Sequence, residues 1–230
     1  MPRAARAGPR RHGCRCRRRS RARRPEHKQQ RREAILTAAR ELAVASGVRN
    51  VSLGAVAEAV GLAKSNIMRY FGTREEIYLI LAGDEWREWG EVVSDRLPDC
   101  AGSDEVVAAL AETLTARPLL CDLMSHTTTS LEHNVSVPAA RMLKHAILGV
   151  IADVGALVSH VTDLTESEGM ELVSAATGLA GMLYPVAHPS PTMAELYAQD
   201  PDIAAACPEM MPTLIRMLSA VAAGLPALRP

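Results

Sequence analysis

Two short apolar spacings of helical period stand on either side of Gly61, within the twenty-one residues from Val51 to Phe71, and this pairing limits what the chain can fold into. Leu53, Val56, Ala57 and Val60 recur at i, i+3, i+4 and i+7, giving one apolar face, and Ser52 stands where its hydroxyl can cap the first backbone N–H groups. Gly61 lets the chain reverse at positive φ without a Cβ clash. A second helix is expected from about Lys64 to Tyr70. Ile67 and Phe71, spaced i and i+4, turn inward, and Lys64, Ser65, Asn66, Met68 and Arg69 fall on the outer side. Helix, tight turn and helix with a basic outer face is the pattern of a helix-turn-helix, whose second helix enters a major groove. Asparagine suits adenine edges there, arginine guanine edges, and lysine guanine or phosphate. The same pattern also fits a plain helical hairpin with a solvated basic face.

The flanks extend the pattern. Ile35, Leu36, Ala39, Leu42 and Ala43 give a supporting helix from Lys28 to Ser46, stopped at Gly47. Thr73-Arg74-Glu75-Glu76 reads as a capping box that opens a long helix. With these segments in place, the chain resembles the N-terminal domain of the TetR family of bacterial transcriptional regulators. The resemblance rests on Arg31-Arg32-Glu33-Ala34-Ile35-Leu36-Thr37-Ala38-Ala39, Gly61-Leu62-Ala63-Lys64-Ser65 and Tyr70-Phe71-Gly72-Thr73-Arg74-Glu75-Glu76. It covers about fifty residues closely and the remainder only in helical layout and length.

The resemblance implies a homodimeric repressor acting on a palindromic double-stranded DNA operator. By it, Lys64, Ser65, Asn66 and Arg69 read or touch DNA, Tyr70 and Arg74 hold phosphates, and Arg32, Thr37 and Ser52 add contacts near the backbone. Two positions depart from the family pattern: Met68 stands where a tyrosine is usual, and Ala63 where a serine or threonine usually caps the recognition helix. Met68 cannot donate to a phosphate, and a missing cap weakens a helix start by roughly 1 kcal/mol.

Charge is distributed by position. Residues 1–74 hold nineteen basic and four acidic residues, whereas the remainder holds seven basic and twenty-two acidic ones, so a formally neutral chain is strongly polar end to end. One half attracts phosphate and the other repels it. Residues 1–24 contain eleven arginines and no acid, with no apolar run for a core or a signal peptide, and are expected to be disordered. They suit either a DNA-binding arm or translated GC-rich sequence upstream of a start near His27. We therefore divide the chain into this tail (1–24), a helix-turn-helix domain (25–73) and a helical effector-binding and dimerisation domain (74–230).

The second half is helical in pattern throughout, which makes the fold class all-α. Leu79, Ala82, Trp86, Trp89 and Val93 mark a long helix from about Arg74 to Leu97 that Pro98 ends. Helices over about Ser103–Arg117, Leu119–His133 and Ala139–Val161 follow. Thr165-Glu166-Ser167-Glu168 is a second capping box, opening a helix to about Tyr184, and a proline-rich connection leads to a last helix near Pro212–Ala223. The uncharged stretch Leu172–Ala187 carries Ser174, Thr177 and Pro185 and is short for a membrane span, so it reads as a buried helix.

Ala175, Gly178, Leu179 and Met182 with Leu214, Met217, Leu218 and Val221 would form a four-helix dimer interface, intramolecular packing being the alternative. Trp86, Trp89, Met124, His126, Leu143 and Ile147 are candidate walls of a cavity for a largely apolar effector, although core residues share that composition. The five cysteines have no paired spacing, and a reducing cytoplasm is expected. His12, Cys14 and Cys16 match no usual zinc spacing, and no cofactor or metal is implied. Cys121 and His126, five apart, diverge on a helix, leaving no matched acid, base or nucleophile for an enzyme. A sequence-nonspecific nucleic-acid-binding protein using the arginine arm remains the other reading.

Overall fold

The computed structural model describes residues 16–230, with side chains from Glu26 onward, and every regular element among them is helical. The order is α1 (Cys16–Ser46), α2 (Leu53–Ala59), α3 (Lys64–Ile67), α4 (Arg74–Arg96), α5 (Ser103–Thr115) and α6 (Pro118–His126), then α7 (Val137–Val161), α8 (Glu166–Ala187), α9 (Pro191–Gln199), α10 (Pro201–Ala206) and α11 (Met210–Gly224). The first helix begins at Cys16, inside the arm expected to be disordered. Arginine is a good helix former, and a helix already nucleated by the apolar face downstream extends through it at little cost. Residues 1–15, His12 and Cys14 among them, lie outside the described residues.

The N-terminal core follows from short-range signals. Ile35, Ala39 and Ala43 of α1 pack against Val56 and Ala57 of α2 and against Ile67 and Phe71 around α3. Gly47 and Gly61 adopt φ of 83° and 63°, which a side chain would strain. Ser52 accepts the N–H of Ala55, as its N-cap position requires, whereas Ala63 opens α3 without a side-chain cap. This core runs on into the next layer through Ile77, Tyr78, Leu79 and Leu81 of α4, which meet Leu119 and Leu123 of α6.

The second core is a bundle around α8. Trp86, Trp89 and Val93 of α4, Leu110 and Leu114 of α5, Leu172 and Ala176 of α8, and Leu214 and Leu218 of α11 are buried together. The α7/α8 crossing is set by two glycines: a Cβ on Gly169 would stand 2.3 Å from the carbonyl oxygen of Gly155, so only bare backbone lets these helices meet. The Thr165–Glu168 capping box is complete, and Arg229 near the C-terminus adds two guanidinium hydrogen bonds to Glu168 at 2.7 and 2.6 Å. That ion pair holds the Glu168 carboxyl down at about 2.

Several elements differ from expectation. The Thr73 box is one-sided: Thr73 accepts the N–H of Glu76, but the Glu76 carboxylate takes the N–H groups of Gly72 and Ser136. Glu76 thereby ties the start of α4 to the start of α7, and its hydrogen bond with Ser136 holds its carboxyl below the usual range. The segment expected as one helix from Leu119 to His133 breaks after His126 into a wider turn over Thr127–Leu131, with Glu132 N–H bonded to Thr127 O at 3.1 Å. The proline-rich connection is itself helical, because Pro191 and Pro201 occupy the first helical position, where their missing N–H is harmless, behind the caps Ser190 and Asp200. Neither α9 nor α10 buries a residue.

By length and composition three stretches, Val137–Val161, Glu166–Ala187 and Pro201–Leu228, are apolar enough to cross a membrane. In the fold α7, α8 and α11 pack together in the bundle.

Candidate functional site

The surface around α3 carries the first candidate site. Lys64, Ser65, Asn66 and Arg69 are exposed while Ile67 and Phe71 are buried beneath them, so the short helix is anchored by one face and offers the other. Met68 shares that outer face, 53% exposed, and its thioether adds no donor to a polar surface. Regular α3 is a single turn, Lys64–Ile67, shorter than the helix expected to reach Tyr70. Beyond it the bonding tightens to the i→i+3 type, Arg69 N–H to Asn66 O and Tyr70 N–H to Ile67 O, and this turns Phe71 into the core. Thr37 and Ser52 are exposed, and the Ser52 hydroxyl accepts the cap N–H.

Arg32 and Arg74, expected to contact the DNA backbone and hold phosphates, are also positioned by the protein itself. The Arg32 guanidinium lies 4.3 Å over the Phe71 ring and donates to the carbonyl of half-buried Tyr70 at 3.2 Å, pinning the end of the recognition turn. Arg74 donates through Nε to Val51 O at 2.6 Å and through Nη2 to Val48 O, with its guanidinium 4.6 Å over Tyr78. Both of those carbonyls belong to the segment that leads into α2. A planar guanidinium with stacked and hydrogen-bonded faces acts as a clamp. Sequence signals could not separate these roles, because an arginine beside a DNA-facing helix suits either.

The second candidate site is a cavity of about 410 Å³ between α4, the end of α6, α7 and α8. Trp86, Met124 and Ile147 line it, as expected from the sequence. Trp89, His126 and Leu143 do not. Trp89 is fully buried and donates its indole N–H to Thr113 Oγ at 3.1 Å, His126 faces Asp122 at 3.4 Å, and Leu143 belongs to the N-terminal core. Helical spacing alone could not say which side of each helix meets the gap. The residues that reading missed include the polar Ser125, Thr127, Thr128, Ser174 and Thr177 as well as the apolar Ile151, with Lys144 at the rim paired to Glu132 at 2.6 Å. Gly178 was expected in a dimer interface, and a Cβ there would meet no atom within 4 Å.

The remaining dimer candidates divide. Met182 and Met217 are exposed, and Ala175, Leu179 and Val221 are half-buried. Leu214 and Leu218 are fully buried inside the bundle, a correction that follows from the i, i+4 repeat they share with Ala222 on the inward side of α11.

Helix α6 links the cavity to the N-terminal unit. At its N-terminus Arg117 pairs with Glu85 and Glu88 of α4, the same two carboxylates that Arg40 of α1 reaches. Burial pushes the Glu85 carboxyl up, and Arg40 and Arg117 pull it back. One turn on, Asp122 accepts the backbone N–H of Val48 at 2.7 Å, joining α6 to the chain between α1 and α2. Its last turn supplies Met124 and Ser125 to the cavity. Cys121 is fully buried, and burial pushes its thiol up to about 12, so it is no nucleophile near neutral pH.

The family described as "Bacterial regulatory proteins, tetR family" matches residues 35–80, and "Tetracyclin repressor-like, C-terminal domain" matches residues 83–229. No curated protein sequence matches. Among solved structures, the chain is similar to FadR of Thermus thermophilus, a TetR-family transcriptional repressor in complex with lauroyl-CoA. Identity is 16%, the alignment covers 86% of this chain and 96% of that one, and the TM-score is 0.53. Multidrug binding protein EbrR complexed with imidazole gives 18% identity, 84% and 94% coverage and a TM-score of 0.53. RolR in complex with resorcinol gives 17%, 90% and 97%, and 0.52. At these identities the likeness is one of fold.

Proposed function

The chain belongs to the TetR family of DNA-binding transcriptional regulators, and on that premise we propose that it is a homodimeric repressor of a palindromic operator, released by a small, largely apolar effector. The observation that carries the reading is the anchored, exposed face of α3: Lys64, Ser65, Asn66 and Arg69 project from a turn whose other side is fixed by Ile67 and Phe71. Direct base readout needs that combination of free polar ends on an immobile support. Residues 25–73 form the reading domain and 74–230 the sensing and dimerising one. Regulators of this family are not in general enzymes. We place the protein in the bacterial cytoplasm, associated with the nucleoid.

Dimerisation through the outer faces of α8 and α11, where Met182 and Met217 are exposed, sets the two recognition turns about 34 Å apart on DNA, one turn of the duplex. Release is a population shift: an effector that binds better to a conformer with a displaced α6 lowers operator affinity by that difference. Asp122 and Arg117 are the contacts through which such a displacement reaches Val48 and α1. Selection of genomic fragments bound by the full chain at physiological salt tests the reading. A recurrent palindrome is the expected result. Enrichment without a shared sequence would favour a nonspecific binder gripping phosphate through its basic N-terminal segment.

A further inference from the structure

The hydrogen bonds around the 410 Å³ cavity specify the chemistry of its occupant. Four of its five lining hydroxyls have already used their only proton; the fifth, Thr128, is exposed and has no side-chain hydrogen bond among the described residues. Ser125 donates to Asp122 O at 2.7 Å, Thr127 to Leu123 O at 2.7 Å, Ser174 to Met170 O at 2.7 Å and Thr177 to Val173 O at 3.0 Å. A hydroxyl that donates to its own helix keeps lone pairs and nothing else to offer a ligand. The indole N–H of Trp86, by contrast, finds no hydrogen-bond partner among the described residues, while Trp89 beside it is bonded to Thr113. The apolar part of the wall is Met124, Ile147, Ile151 and Met182, with Gly178 and Gly181 between them. Lys144 sits at the rim, neutralised by Glu132.

Resting on the reading of this cavity as the effector site, we propose that it takes a compact, uncharged apolar molecule carrying a hydroxyl group, such as an alkylphenol. The hydroxyl donates its proton to a wall oxygen, Thr177 being the least exposed of them, and accepts from Trp86. The ring or chain fills the space beside Met124 and Ile147. Beside buried Thr127 and Thr177, away from exposed Thr128, a carboxylate would bring lone pairs against lone pairs, and an ether would have no proton to give. Gly178 keeps the space open, since a Cβ there would project where no protein atom lies within 4 Å.

The test uses the full-length protein and three matched probes, para-propylphenol, its methyl ether and para-propylbenzoate, with binding read by calorimetry and by Trp fluorescence. The phenol is expected to bind about tenfold more tightly than the ether, one neutral hydrogen bond's worth, and the benzoate more weakly than both. In Thr177→Val, which keeps the volume and removes the oxygen, the phenol and the ether should converge to within about threefold. A Gly178→Leu side chain should abolish binding of the phenol without lowering the melting temperature. Equal binding of phenol and ether by the unaltered protein, tighter binding of benzoate, or no binding of any probe overturns the proposed class. Phenol binding that survives Gly178→Leu instead overturns the cavity as the effector site, so the two failures are distinguishable.

Discussion

The two halves of this protein present their chemistry in opposite ways. Residues around α2 and α3 pack a small complete core and leave polar side chains standing on its outside, whereas the bundle around α8 keeps its site in a gap that its packing leaves unfilled. The first arrangement is set by local signals, such as the Ser52 cap and the φ of 63° at Gly61. The second depends on how closely helices distant in sequence approach, at Gly155 with Gly169 and at Gly181 with Met124. A surface face is therefore legible from spacing, and a gap between helices depends on crossing geometry that spacing does not encode.

Substitutions can break this contrast. The largest effect is expected at the helix crossing: Gly169→Ala puts a Cβ against the Gly155 carbonyl and should cost about 3 kcal/mol, seen as a lower denaturant midpoint. If instead it is tolerated, the bundle is not set by that contact. Next, Arg74→Ala removes donors to Val48 and Val51 and should destabilise the reading domain by about 2 kcal/mol. An unchanged melting curve with uniformly weaker DNA binding would leave Arg74 only its phosphate-contacting role.

The smallest is a pH effect at the far end of the bundle. Glu168 is held at about 2 against an ordinary 4.5, so its pairing with Arg229 stabilises the fold fully above pH 4.5 and the contribution is lost as pH falls toward 2. Thermal melts of Arg229→Ala across that window should show a shallower acid dependence than the unaltered protein. Parallel curves would remove the ion pair from the account of acid stability.

How much of this the sequence revealed follows the same division. The helix-turn-helix, its cap, its turn glycine and the inward pair Ile67 and Phe71 are all short-range features, and each stands where spacing placed it except that α3 ends at Ile67 rather than near Tyr70. Glu76 shows the limit of a local signature: the residue type for a reciprocal cap is present, but Ser136, sixty residues away, offers an N–H that the motif cannot anticipate. The identical reading at Thr165 succeeds, and its Glu168 caps as expected. In the cavity, Trp86 and Trp89 satisfy one apolar stripe equally well. Both are buried in the bundle, yet Trp89 is bonded to Thr113 and Trp86 also lines the gap, a difference the stripe does not encode. Leu214 and Leu218 were legible as apolar and helical, yet whether such a stripe meets its own bundle or a second copy is settled by what lies opposite it.

The central claim is that an exposed face of α3 reads bases, and Asn66 carries no structural contact that would confuse its test, being exposed. The measurement is the affinity of the full chain and of Asn66→Ala for the selected operator and for a random duplex of equal length, at one physiological salt concentration. The account predicts that the variant loses at least about tenfold on the operator and is unchanged on the random duplex, the difference being base discrimination. Equal affinity of the variant and the unaltered chain for the operator would contradict it.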